Sequence, residues 1–121
     1  MDTRARGGHW ERVAESFLNR RGLKTLNRNF QDRFGEIDLV LLDGQTLVFA
    51  EVRYRARDSH GSGADSVTRT KRRRIVRTAE RFLQRHPAHR ARACRFDVVS
   101  IGQQQGRPAL RWIRAAFTAE Q

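Results

Sequence analysis

The sequence has little cysteine, lysine or acid, and no long apolar run, and each shortage removes a class of protein. A single cysteine, Cys94, excludes an internal disulfide and with it the stapled secreted scaffolds. Nothing approaches the roughly 18 uninterrupted apolar residues of a membrane span. Residues 1–8 lack the apolar stretch of a secretory signal, so a cytoplasmic location is the expectation. Hydrophobic residues make up 38%, which suits one modest core in a single domain over residues 1–121. Charged residues do not fall in the long like-sign blocks of a disordered tail.

What is abundant is positive charge. Lysine plus arginine number 25 against 13 acids, a net +12, and only Lys24 and Lys71 are lysines, so 23 of these cations are arginines. A domain this basic calls for a polyanion, and counterion release from nucleic acid is the commonest driving force for such a match. A genome that writes arginine wherever a solvated cation suffices explains many single positions. It does not explain the missing acids. An anionic membrane fits less well, because no basic amphipathic anchor with a bulky apolar face is present.

Along the chain, Trp10, Val13, Ala14, Phe17 and Leu18 form the stripe of an amphipathic helix over 9–21, which Gly22 stops. Residues 23–30 read as a weak first strand. Residues 36–42 and 46–54 read as two strands around Asp43-Gly44, a strong hairpin signal. Residues 1–8 are expected to be flexible, and 55–65, rich in Ser, Gly and Asp, to form a mobile loop. Ser66 is placed to cap a second helix that runs to Arg85, before Pro87. Val67, Ile75, Val76, Ala79, Phe82 and Leu83 make its apolar side; Arg69, Arg72, Arg73, Arg74, Arg77, Arg81 and Arg85 occupy the others. A strand over 94–101, a polar turn over 102–108 and a short strand over 110–113 complete an α-β-β-β-α-β order with one further edge strand. The class is α/β.

Strand alternation puts Glu36, Asp38, Val40 and Leu42 on one face, and Leu47, Phe49, Glu51 and Arg53 on one face of the partner. A two-residue Asp43-Gly44 turn pairs Leu42 with Gln45, Asp38 with Phe49 and Glu36 with Glu51. Asp38 and Glu51 then become diagonal neighbours about 7–8 Å apart. Carboxylates so placed can share one divalent ion, and oxygen ligands point to Mg²⁺ or Mn²⁺. Salt bridges from these acids to the many arginines are the competing reading.

Gly35-Glu36-Ile37-Asp38-Leu39-Val40, Val48-Phe49-Ala50-Glu51-Val52-Arg53, Arg95-Phe96-Asp97-Val98-Val99, the run from Ser66 through Val67, Thr68, Arg69, Thr70 and Lys71 to Arg74, and Glu11 in the first helix resemble the small bacterial YraN-like family. That family looks like the PD-(D/E)XK, or restriction-endonuclease-like, superfamily, which includes Holliday-junction resolvases. The resemblance implies an α-β-β-β-α-β nuclease core, a mixed sheet flanked by helices, that hydrolyses phosphodiester bonds, with DNA favoured over RNA and branched DNA among the substrates. Resolvases act as dimers, so it extends to a homodimer. Asp38 and Glu51 match the superfamily's metal-binding acids, and Glu11 matches the first-helix glutamate of some branches.

Arg53 stands where the superfamily usually has lysine. Arginine is always protonated; it stabilises charge but cannot act as a base. Lys71, on the inward side of the second helix, is placed either to compensate or to snorkel past the core edge. The expected catalytic set is therefore Asp38, Glu51, Arg53 and Lys71, with Glu11, Asp38 and Glu51 on the metal. Nucleic acid is expected along Arg69, Arg72, Arg73, Arg74 and Arg77. A non-catalytic nucleic-acid-binding module on the same fold is the alternative. His86, His89 and Cys94 are too loosely spaced for a zinc site; Cys94 reads as a small packed residue, His60 as a loop histidine and Asp97 as structural.

Overall fold

A computed structural model describes residues 3–55 and 67–120, with side chains from residue 8 onward. The order is α1 (Thr3–Arg20), β1 (Lys24–Asp32), β2 (Gly35–Asp43), β3 (Thr46–Tyr54), α2 (Arg69–Arg85), a 3₁₀ turn (Pro87–His89), β4 (Cys94–Gln104) and β5 (Arg107–Phe117). The five strands lie in chain order, β1-β2-β3-β4-β5, in one mixed sheet. Only β3 and β4 are parallel, because α2 carries the chain across between them. The expected 55–65 loop lies outside the described residues except for Arg55, and His60 lies outside them too.

Two apolar layers hold the helices to opposite faces. On one, Ile75, Ala79 and Phe82 of α2 pack over Val40, Phe49 and Phe96. The Phe82 ring meets Phe30 edge-to-face at 5.2 Å and Phe49 at 5.8 Å. Burying one such ring contributes about 2–3 kcal/mol. On the other face Ala14 and Leu18 of α1 cover Leu39, Leu41 and Val48. Trp10 and Trp112 pack against this second layer, and Phe117 is buried in the first. Among the described residues no helix is long and apolar enough to cross a membrane.

Several boundaries differ from the sequence reading. The second helix is capped by Thr68, not Ser66: the Thr68 hydroxyl oxygen accepts from the Lys71 N–H at 3.1 Å, so the helix opens at Arg69. Replacing Thr68 with alanine is expected to cost about 1 kcal/mol in urea denaturation, the usual worth of such a cap. The polar turn narrows to Gln105 and Gly106, both at positive φ, which lets β4 and β5 run on to Gln104 and from Arg107. Cys94 is exposed rather than packed, because it opens β4 at its rim. Asp97 is structural as expected. It is 1% exposed and accepts from Arg95, from Trp112 Nε1 at 2.9 Å and from the Ala115 N–H at 2.9 Å, and so secures the β4–β5 irregularity.

Candidate metal centre

The β2–β3 hairpin closes with Asp43 opposite Thr46, so Gly44 and Gln45 are the turn residues and each partner lies two positions beyond the expected register. A shift of two preserves faces, and it brings Asp38 directly across from Glu51 instead of diagonal to it. The ladder stops one step earlier, at Leu39 and Ala50. Beyond it, Asp38 Oδ2 accepts the Val52 N–H at 2.8 Å, so a side-chain oxygen takes the place of a strand carbonyl. The strands therefore part where the two acids sit.

Alternation itself breaks at this point. Asn29, the β1 residue opposite Asp38, has φ +52°. Asparagine tolerates that left-handed conformation better than most residues, and it reverses the faces that follow. Arg28 turns to α1 and meets Glu15 at 2.7 Å, whereas Phe30, two residues later, packs under α2. On β2 the same reversal places Leu39 in the α1 layer and Ile37 in the α2 layer. Asp38 consequently borders clefts on both sides of the sheet.

That position gathers acids from three elements. Carboxylate oxygens of Glu11, Glu36 and Asp38 lie within 4.8 Å of one another. Glu11 arrives from α1, and with the Asn29 amide turned so that its nitrogen faces Glu11, Asn29 Nδ2 donates to both Glu11 carboxylate oxygens at 3.1 and 3.2 Å. Glu36 accepts from Gln31 Nε2 at 3.1 Å. From β3, Glu51 touches Asp38 and pairs with Lys71 Nζ at 2.6 Å. Glu36 is the member that alternation alone does not group with Glu11.

Asp38 is 6% exposed and Glu51 is 7% exposed. Burial pushes the Asp38 carboxyl up to about 7; the Val52 N–H opposes the rise, and Glu11 and Glu36 add to it. Burial and the Asp38 charge push Glu51 up to about 7 against the pull of Lys71. Two buried carboxyls pushed upward in this way have, among the described residues, only Lys71 as a counter-charge, and a divalent cation would supply the rest. The donors are all oxygens, so the residues fit Mg²⁺ or Mn²⁺.

Lys71 thus stands at the acids. Arg53, two residues beyond Glu51 and opposite Ser100, is half-buried and does not line the acid cleft. The helix arginines separate into groups. Arg73, Arg74 and Arg77 line a cleft of about 640 Å³, joined by Arg33, Phe34 and Thr70. Arg69 is exposed at the first position of α2. Arg72 turns inward, donating to the Val67 carbonyl at 2.9 Å and lying over the Phe117 ring. Arg81 and Arg85 both pair with Asp32. His86 Nδ1 contacts the Phe82 carbonyl and His89 Nδ1 accepts from Arg92, away from the acids.

The comparisons agree with the order of these motifs. The model of an uncharacterised protein family, UPF0102, matches residues 10–101, which include Glu11, Asp38, Glu51 and Lys71. A UPF0102 protein of Xanthomonas oryzae pv. oryzae is 49% identical over 95% of this chain and 93% of its own length. One from Aeromonas hydrophila is 46% identical over 93% of this chain and 85% of its own length. One from Alcanivorax borkumensis is 46% identical over 91% of this chain and 89% of its own length. Likeness of that extent, over the helix, the hairpin and the crossover that build the acid cluster, makes the chain a member of UPF0102, the YraN-like family.

Proposed function

We propose that this protein is a divalent-metal-dependent endonuclease that binds nucleic acid along α2 and hydrolyses a phosphodiester bond at the acid cluster. One observation carries the reading: the buried Asp38–Glu51 pair opens into a cleft of about 410 Å³ whose wall, through Thr70 and Arg74, is shared with the arginine-lined cleft. Acids to hold a cation thus adjoin cations to hold phosphates.

Glu11, Asp38 and Glu51 would hold Mg²⁺ or Mn²⁺, with Glu36 close enough to contribute an oxygen. The ion, when bound, supplies Lewis-acid polarisation of the phosphate. Lys71, anchored on Glu51, presents a positive charge to the phosphate as negative charge grows on it. Arg73, Arg74 and Arg77 orient the strand by charge-assisted contacts to its phosphates. A single cysteine and a nucleic-acid substrate agree with action in the cytoplasm, and DNA, branched DNA included, is the favoured substrate.

The second reading, a binding module without turnover, draws on Arg53 in place of the motif lysine. Labelled branched, duplex and single-stranded substrates, incubated with Mn²⁺, with Mg²⁺ and with chelator, separate the two. The expected result is cleavage of at least one substrate in the metal arms alone. Tight binding with no cleavage in any arm establishes the module and ends the enzyme reading.

A further inference from the structure

The turn between β1 and β2 consists of Arg33 and Phe34, and it puts an aromatic ring among arginines. The Arg33 guanidinium carbon lies 4.9 Å from the Phe34 ring centre and that of Arg77 lies 5.1 Å away. The turn is fixed to α2. Asp32 Oδ1 accepts the Arg33 N–H at 2.7 Å, and Oδ2 accepts from Arg81 and Arg85 at 3.3 and 2.9 Å. Gly35, the next residue, stands so close to α2 that a Cβ there would meet Thr78 at 3.5 Å and Arg74 at 3.7 Å.

Phe34 therefore sits at a set distance from Arg73, Arg74 and Arg77, in a cleft of about 640 Å³. Unlike Phe30, Phe49 and Phe82, it belongs to neither core layer. The Arg33 and Arg77 guanidiniums lie over the half-buried Phe34 ring, and such an arginine–aromatic stack is a platform that an unstacked base extends while its phosphates meet the neighbouring arginines. A continuous duplex cannot use it, because each base inside a duplex already has both faces covered. The cleft's volume suits a small ligand or a single nucleotide, not the cross-section of a double helix.

We infer that the Phe34 cleft binds an unpaired nucleotide beside the acid centre, so that the preferred substrate contains a single-stranded segment. The inference rests on the nuclease reading for its substrate, and it deepens that reading by naming the strand's state. Because Thr70 and Arg74 border both clefts, an unpaired nucleotide held on Phe34 is the neighbour of the phosphate at the acids.

The test is fluorescence anisotropy in chelator, where nothing can be cut. It uses oligothymidylate and oligouridylate strands of about 20 nucleotides and a DNA duplex of similar length. Phe34→Leu is expected to weaken binding to one or both single strands about tenfold while leaving duplex binding within about twofold, and Phe34→Trp to restore it. A loss on one strand alone identifies the nucleic acid as DNA or RNA, and a loss on both supports a cleft that takes either. Losses of less than about twofold on both strands, or an equal loss on the duplex, overturn the inference. Wild-type protein that binds none of the three overturns the nuclease reading as well. A selective Phe34 effect in a protein that cuts nothing with Mn²⁺ removes the nuclease reading and keeps the cleft. Unchanged thermal unfolding of both variants shows that the fold is intact.

Discussion

At about pH 8 and without metal, Asp38→Asn is expected to stabilise the protein by roughly 4 kcal/mol, or about 15 °C in Tm. The unfolded Asp38 carboxyl ionises near 3.8, whereas in the fold it is pushed up to about 7. Between those values the native state binds a proton that the unfolded state has released, so this group's contribution falls as pH rises and levels off above about 7. Wild type and variant should therefore match near pH 4 and diverge progressively toward about pH 8. Asparagine keeps an oxygen for the Val52 N–H while removing the buried charge. Mn²⁺ should reverse the order, raising the Tm of wild type and leaving that of the variant unmoved. Chemical denaturation across pH, with and without Mn²⁺, measures all of this. A variant less stable than wild type at pH 8 would falsify the crowded-carboxylate account.

Lys71→Ala is expected to lower cleavage about 10²–10³-fold, roughly 3–4 kcal/mol in the barrier, the usual loss for one preorganised charge donor. Arg53→Lys should stay within about tenfold, or ~1.4 kcal/mol. The reason is position: Lys71 is in contact with Glu51, and Arg53 is outside the acid cleft. Binding should change little in either variant, since the arginines of the basic cleft remain. Lys71 also holds Glu51 down, so its removal should move the acidic limb of the pH–rate profile upward. Loss of cleavage in Arg53→Ala together with full activity in Lys71→Ala assigns the role to Arg53 instead.

The strong local signals in the chain were legible. Residues 46–54 form a strand with those bounds, the second helix ends at Arg85, and the α-β-β-β-α-β order with one more edge strand stands. Asp38 and Glu51 come together because hairpin pairing needs only adjacent strands. The register departs from the expected one because Asp-Gly favours a turn with those two residues at its centre, whereas Asp43 here pairs with Thr46 as the last rung. The face reversal at Asn29 was invisible to strict alternation. Its one clue in the sequence is the residue type, since asparagine within a strand is a candidate for positive φ. Glu36 joins Glu11 through that reversal, and the Phe34 cleft depends on α2 docking against a turn some 40 residues away in sequence, a contact that no local pattern encodes.

The open margins of the sheet have a consequence for self-association. Among the described residues, β1 and β5 each leave one side of their backbone without a strand partner, which invites another copy to add a strand. Yet β5 carries Arg107, Pro108 and Arg111 at exposed positions, and β1 carries Lys24. Two copies meeting edge to edge would set cation against cation, and Pro108 offers no N–H to a new ladder. Fibrous growth along the sheet is thereby opposed at both ends, and a pair of these molecules would have to meet through surfaces other than the strand edges. Charge that attracts a polyanion at α2 works at the margins as a guard against aggregation.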